Sequence, residues 1–91
     1  MFVVVAYDVQ DDKRRNKVHK VLKNYGQWMQ FSVFECQKLS KEQFLRLRHQ
    51  LEKHIKPAED SIRYYILCEG CAGKVIRIGG EELRREDVFL V

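Results

Sequence analysis

No apolar run in the chain approaches the roughly 18 residues that a membrane helix needs. The start, Met1-Phe-Val-Val-Val-Ala6, lacks the basic stretch and small-residue cleavage site of a secretory signal. Cysteine is scarce and odd in number: Cys36, Cys68 and Cys71 cannot make the even disulfide framework of a small secreted domain. Together these absences predict a soluble, cytoplasmic protein with no membrane partner. Zinc is poorly provided for. Cys68-x-x-Cys71 is one pair where a structural site wants four ligands, and His49 and His54, five apart, fall on different faces of any helix. The thiols read as buried or incidental. There is no phosphate-cradling glycine loop. Ser32 has no visible His–Asp partnership, and none of the three histidines lies in a recognisable motif. Ninety-one residues exclude a two-domain enzyme with a cleft between lobes, and a 45% hydrophobic fraction excludes a disordered basic tail. Without repeats, linkers or low-complexity segments, residues 1–91 read as a single domain.

What the chain does have is an uneven charge. The net +4 divides as +3 over residues 1–30, +1 over 31–60 and 0 over 61–91. Every base of the first third lies between Lys13 and Lys23: Lys13, Arg14, Arg15, Lys17, Lys20 and Lys23, with no acid among them. A solvated helix face is the bland reading. Against it, Arg14 and Arg15 fall in the first turn, where the helix dipole prefers acids. Cations there cost a fraction of a kcal/mol each unless an anion binds.

Phe2–Tyr7 is a short, β-branched apolar run and reads as a buried strand. Both alternating sets are apolar, Phe2, Val4 and Ala6 against Val3, Val5 and Tyr7, so both faces need cover. Asp8, Asp11 and Asp12 end the strand and offer caps for a helix. Val18, Val21, Leu22 and Tyr25 form its apolar stripe, and Asn24 and Gly26 suit its end. His19, within that helix, reads as solvent-facing. Trp28–Cys36 is strand-like, as one bent strand or two short ones meeting near Ser32. Ser40 and Gln43 make a capping box for a second helix marked by Phe44, Leu47, Leu51 and Ile55, with Pro57 to stop it. Ile62–Cys68 is a further strand, and 75–78 and 88–91 offer short ones. Strand, helix, strand or strands, helix, strand is the order of an α+β, ferredoxin-like (split βαβ) sheet with two helices on one face. The other face, bare and apolar, predicts a homodimer formed by sheet-to-sheet packing.

Asp8, at the end of the first strand, is a hard oxygen ligand suited to Mg²⁺ or Mn²⁺. Such an ion beside Arg14 and Arg15 would bind and polarise a phosphodiester. One carboxylate is too little for a tight site; two copies across a dimer serve better. Phe31 and Phe34 could stack on bases, though core packing accounts for both more simply.

Five segments follow in order along most of the chain: Val5-Ala-Tyr-Asp8, Asp11-Asp-Lys-Arg-Arg15, Asn24-Tyr-Gly26, Gln30-Phe-Ser-Val-Phe-Glu-Cys36, and Asp60-Ser-Ile-Arg63 with Leu67-Cys68. In them the chain resembles the CRISPR-associated protein 2 (Cas-two) family. The resemblance implies a ferredoxin-like homodimer in which the two copies of Asp8 flank a shared Mg²⁺ or Mn²⁺. It implies that Tyr7, Ser32 and Phe34 belong to the catalytic site with Asp8, alongside Arg14 and Arg15. Lys13, Arg14, Arg15, Lys17 and Lys20 become the expected nucleic-acid contacts. It also implies that the last strand crosses to the partner, placing 75–91 at the dimer interface. Related sequences often carry an Arg where this chain has Trp28, a departure that bears on nuclease activity more than on fold. Two roles follow from the resemblance. One is a metal-dependent endonuclease cleaving single-stranded RNA or duplex DNA. The other is an architectural subunit, without catalysis of its own, that holds duplex DNA with the CRISPR-associated protein 1 (Cas-one) integrase for spacer acquisition. A small-molecule-binding regulatory dimer is the third reading, and it leaves the Lys13–Lys23 bases without a purpose.

Overall fold

β-Branched residues fill the first strand, and its two apolar faces place it inside the sheet rather than at an edge. The computed structural model describes residues 1–76 and 78. Along it run β1 (Phe2–Asp8), α1 (Asp12–Lys23), β2 (Gln27–Gln30), β3 (Val33–Cys36), α2 (Lys41–Glu52), β4 (Ser61–Leu67) and the short α3 (Glu69–Ala72). The strands form one antiparallel sheet in the order β2-β3-β1-β4. β1 and β2, joined through α1, are separated by β3, and β3 and β4, joined through α2, are separated by β1. That is the ferredoxin-like split βαβ arrangement.

One face of the sheet carries the core. Val3, Val5 and Tyr7 of β1 and Phe34 and Cys36 of β3 meet Val18 and Leu22 of α1 and Phe44, Leu47 and Leu51 of α2. Leu22 and Leu47 are wholly buried, so truncating either to Ala would cost about 2–5 kcal/mol. Caps fix both helix starts. Asp11 accepts the Arg14 backbone N–H, and Ser40 and Gln43 form the expected reciprocal box. Where α1 returns to the sheet, Gly26 passes so near β3 that a Cβ would lie 2.4 Å from the Glu35 carbonyl oxygen and 2.6 Å from Cys36 Sγ. No larger residue fits there without moving backbone.

Among the described residues, no helix covers the opposite face. In register across it lie Phe2 beside Leu67, Val4 between Glu35 and Tyr65, and Ala6 between Val33 and Arg63. Tyr65 is exposed on this face, while Val4, Ala6 and Leu67 are half-buried.

Of the two forms left open for the segment before Cys36, the structure has two short strands: residues 27–36 form a hairpin, Phe31 and Ser32 make a two-residue loop, and the register shifts between Trp28 and Gln30. Other expectations need correction. Pro57 does not end α2, which stops at Glu52. Ile55 reaches the core from the connection that follows, where the Asp60 carboxylate and backbone tie down the Lys56 backbone in a turn. His19 is not simply solvent-facing; its ring stands edge-on to Phe34, 5.2 Å between centroids. Val75 and Ile76 are not in a strand. A strand at 88–91, and its crossing to a partner, lie outside the described residues.

Candidate metal and nucleic-acid site

β1 ends with Asp8 opposite Ser61 of β4. By the two-residue alternation of a strand, Asp8 projects on the side of Val4 and Ala6, the uncovered face, while Tyr7 points into the helix-covered core. The Asp8 carboxylate is exposed and accepts a hydrogen bond from Gln10 Nε2 at 3.2 Å.

The segment after Asp8 is held by a buried aspartate. Asp60, whose side chain is fully shielded from solvent, accepts four N–H groups. Gln10 N (3.0 Å) and Arg14 Nη2 (3.1 Å) donate to Oδ1; Lys56 N (2.9 Å) and Arg14 Nε (2.8 Å) donate to Oδ2. This two-pronged guanidinium contact holds the Asp60 carboxyl well below the usual carboxylate range and raises Arg14 in turn. Arg14 also reaches Glu59 at 3.1 Å. Arg15 donates through Nη1 to the Val9 carbonyl (2.9 Å) and pairs with Asp12.

Arg14 and Arg15 therefore have their anions within the chain, in Asp60, Glu59 and Asp12. No external anion is needed to account for them. Arg14 is mostly covered, with 17% of its side chain exposed. Both arginines tie the 9–15 segment to the body of the protein, and through it fix where β1 delivers Asp8.

Ser32 closes the β2–β3 loop at φ 67°, a left-handed conformation uncommon outside glycine. Its carbonyl accepts the Tyr7 backbone N–H at 3.0 Å, so the loop lies beside the end of β1. Burial pushes the Tyr7 hydroxyl above its ordinary pKa, with Arg15 opposing. Phe34 is wholly buried, 6.5 Å from the Tyr7 ring. Its place in the site is as packing beneath Tyr7, not as a group that touches a substrate. Phe31, expected in the core, is 75% exposed at the hairpin tip.

Lys13, Lys17 and Lys20 recur at i, i+4 and i+7, all exposed, on the side of α1 away from buried Val18 and Leu22. That stripe lies on the outside of the helix layer, whereas Asp8 projects from the other face of the sheet. The sequence sets Asp8 next to the basic helix; the fold separates them.

The sequence reading gives Asp60 no role of its own beyond its place in the Asp60-Ser-Ile-Arg63 segment. Besides Lys56, its partners Arg14 and Gln10 are 46 and 50 residues away, so no local pattern advertises them. The acidic pair Glu59-Asp60 just before a strand, with an unexplained arginine at an earlier helix start, is the available signal.

Among the described residues, no group of three or more His, Cys, Asp or Glu could hold a metal ion. Asp8 is one hard ligand, and a divalent ion fits it only if a second chain adds another. No helix among the described residues is long and apolar enough to cross a membrane.

The class these features define is a ferredoxin-like α+β domain with an exposed carboxylate on its open sheet face and lysines on its outer helix. The family model described as CRISPR associated protein Cas2 matches residues 1–75, and the chain belongs to that family. It is 40% identical over 85 residues to the CRISPR-associated endoribonuclease Cas2 of Thermus thermophilus, covering 93% of this chain and 89% of the relative. Cas2 of Streptococcus pyogenes, in its crystal structure at pH 6.5, superposes with a TM-score of 0.75 at 37% identity, covering 87% of this chain and all of that one. A chain of a partial Cas6-RT-Cas1–Cas2 complex aligns at TM-score 0.70 and 30% identity, over 85% of this chain and 89% of its own length.

Proposed function

We propose that the protein is a homodimeric CRISPR adaptation subunit that holds duplex DNA together with a Cas1 integrase in the cytoplasm, and that it cleaves phosphodiester bonds through Asp8 with Mg²⁺ or Mn²⁺. The observation that carries this reading is the direction of Asp8. It projects from the face that the helices leave bare, the face on which a second copy would pack through Val4, Ala6, Tyr65 and Leu67. A dimer formed there brings two carboxylates together, supplying what one chain lacks. The names of the relatives, endoribonuclease and Cas1–Cas2 complex, support the same reading.

The residues divide the work. Asp8 and its mate hold the cation, which when bound would polarise the phosphodiester. Arg14, Arg15 and Asp60 fix the segment that follows Asp8, as positioning residues. Ser32 braces Tyr7 through its carbonyl, and Phe34 supports Tyr7 from below. Lys13, Lys17 and Lys20 neutralise backbone phosphates, and exposed Phe31 offers an unpaired base a stacking surface.

The separation of the lysine stripe from Asp8 favours a second reading, DNA holding without catalysis. One set of assays tells the two apart. The purified protein is given single-stranded RNA and duplex DNA with Mg²⁺, with chelator, and as Asp8→Asn. Cleavage that needs metal and is lost in Asp8→Asn, with duplex binding kept, supports catalysis. Cleavage undiminished in Asp8→Asn reveals a contaminant and leaves the architectural role. Integration with a cognate Cas1 protein tests that role directly.

A further inference from the structure

The three thiols, read from sequence as buried or incidental, occupy two different settings. Cys36 is wholly buried on β3, where burial pushes its thiol up to about 11. Cys68 and Cys71 are both exposed and both free, and they share one turn at the end of β4. Cys68 is extended, at the position that caps α3, and its Sγ accepts the Cys71 backbone N–H at 3.4 Å. The turn is open around the sulfur: outside its own chain neighbours, the nearest atom to a Cβ built at Gly70 would be Cys68 Sγ, at 4.0 Å.

We propose that Cys68 and Cys71 are a redox-active dithiol that closes to a disulfide by exchange with a low-molecular-weight disulfide, Cys68 attacking and Cys71 resolving. Residues three apart on a helix stand roughly 5–6 Å between Cβ atoms. A disulfide asks for about 3.5–4.5 Å, an approach that a four-residue helix led by an extended cysteine allows. The roles follow from the hydrogen bonding. The Cys71 N–H favours the Cys68 thiolate and lowers its pKa, while the contact with Cys68 raises that of Cys71.

In the first step the Cys68 thiolate attacks one sulfur of the small disulfide. The S–S bond breaks, one small thiolate leaves and takes up a proton, and a mixed disulfide remains. Cys71 then gives its proton to solvent and attacks Cys68 Sγ, expelling the second small thiol. Two protein thiols are oxidised and one small disulfide is reduced. The new ring encloses only the turn that leads out of β4, so the fold and the Asp8 end, a strand's length away, stay as they are.

The test treats the whole chain with excess oxidised glutathione, quenches with acid, alkylates and weighs the product. Wild type is expected to lose two hydrogens and carry a Cys68–Cys71 bridge, with Cys36 unreacted until the protein is unfolded. Cys71→Ser is expected to stop at a glutathione adduct on Cys68. Cys68→Ser is expected to react at least ~10-fold more slowly. Circular dichroism confirms that both variants are folded. A wild type that stays reduced, or that accumulates the adduct instead of the bridge, overturns the proposal. So do Cys68→Ser and Cys71→Ser reacting at equal rates.

Discussion

β1 and β4 run side by side, and their two ends are unlike. At the Asp8–Ser61 end, the polar groups are densely cross-linked: Asp60 alone gathers donors from Gln10, Arg14 and Lys56, and Arg15 closes on Val9. At the Phe2–Leu67 end lie a groove of about 910 Å³, lined by Phe2, Leu39, Ile66, Leu67 and Cys68 among others, and the two exposed thiols. One end presents the Asp8 carboxylate beside a cross-linked frame; the other offers soft, reactive sulfur on a short turn. The difference teaches that rigidity is placed where a charge must be aimed, and left out where a bond must form and break.

Asp8→Asn gives the largest expected effect, because it removes chemistry at the framed end without touching the frame. Metal-dependent cleavage should fall at least ~100-fold. Thermal stability should barely change, since Asp8 is exposed and accepts one long hydrogen bond. Oxidation of Cys68 and Cys71 should proceed as in wild type. If Asp8→Asn also slows disulfide closure, the two ends are not independent and the contrast fails.

Asp60→Asn attacks the frame itself. Removing one partner of a buried, hydrogen-bonded charge pair strands the other. The midpoint of thermal unfolding should drop by ~10 °C, and Arg14→Lys should fall between, because an ammonium cannot make the two-pronged contact. The pH dependence carries the sign. Arg14 holds the Asp60 carboxyl below its ordinary value, so the stability it contributes is complete above about pH 4, the unfolded value. It is lost as pH falls through the lowered folded value. Acid unfolding should therefore be shallower in Asp60→Asn, followed by circular dichroism from pH 6 downward.

How far the sequence shows this division depends on how local each cause is. The helices and their caps were legible because Ser40 with Gln43, Asp11 before Arg14, and the Val18–Tyr25 stripe are short-range patterns. The two-faced strand Phe2–Tyr7 announced the uncovered face, and Asp8 announced itself by its place at a strand end. The Arg14–Asp60 pair was not legible. It joins residues 46 apart, and a sequence that shows a cation in a first turn does not say which anion answers it. Phe31 is misread for a related reason: core packing accounts for it in sequence as simply as for Phe34, and only the hairpin loop at Phe31–Ser32 turns it outward.

Gly26→Ala tests the ground between the ends. Its Cβ would enter the Glu35 carbonyl and the Cys36 sulfur, costing about 1–3 kcal/mol by displacing α1 from β3. Urea unfolding measures the loss. Because α1 carries the lysine stripe but not Asp8, duplex affinity should suffer more than cleavage per bound substrate.

Ser32 yields the smallest expected effect and the finest distinction. Its left-handed backbone costs a non-glycine residue roughly 1 kcal/mol, while its carbonyl holds the Tyr7 N–H. If the backbone is what matters, Ser32→Gly should stabilise the protein by ~0.5–1 kcal/mol and keep cleavage within about twofold, because the carbonyl survives and the strain does not. Ser32→Ala should then match wild type in both. If the hydroxyl touches substrate, the two variants should lose activity together whatever their stability. The structure shows Ser32 giving its carbonyl to Tyr7, so the first pattern is the expected one. It would place Ser32 with Asp60 and Arg14 in the frame, and leave Asp8 as the group at that end that meets the metal.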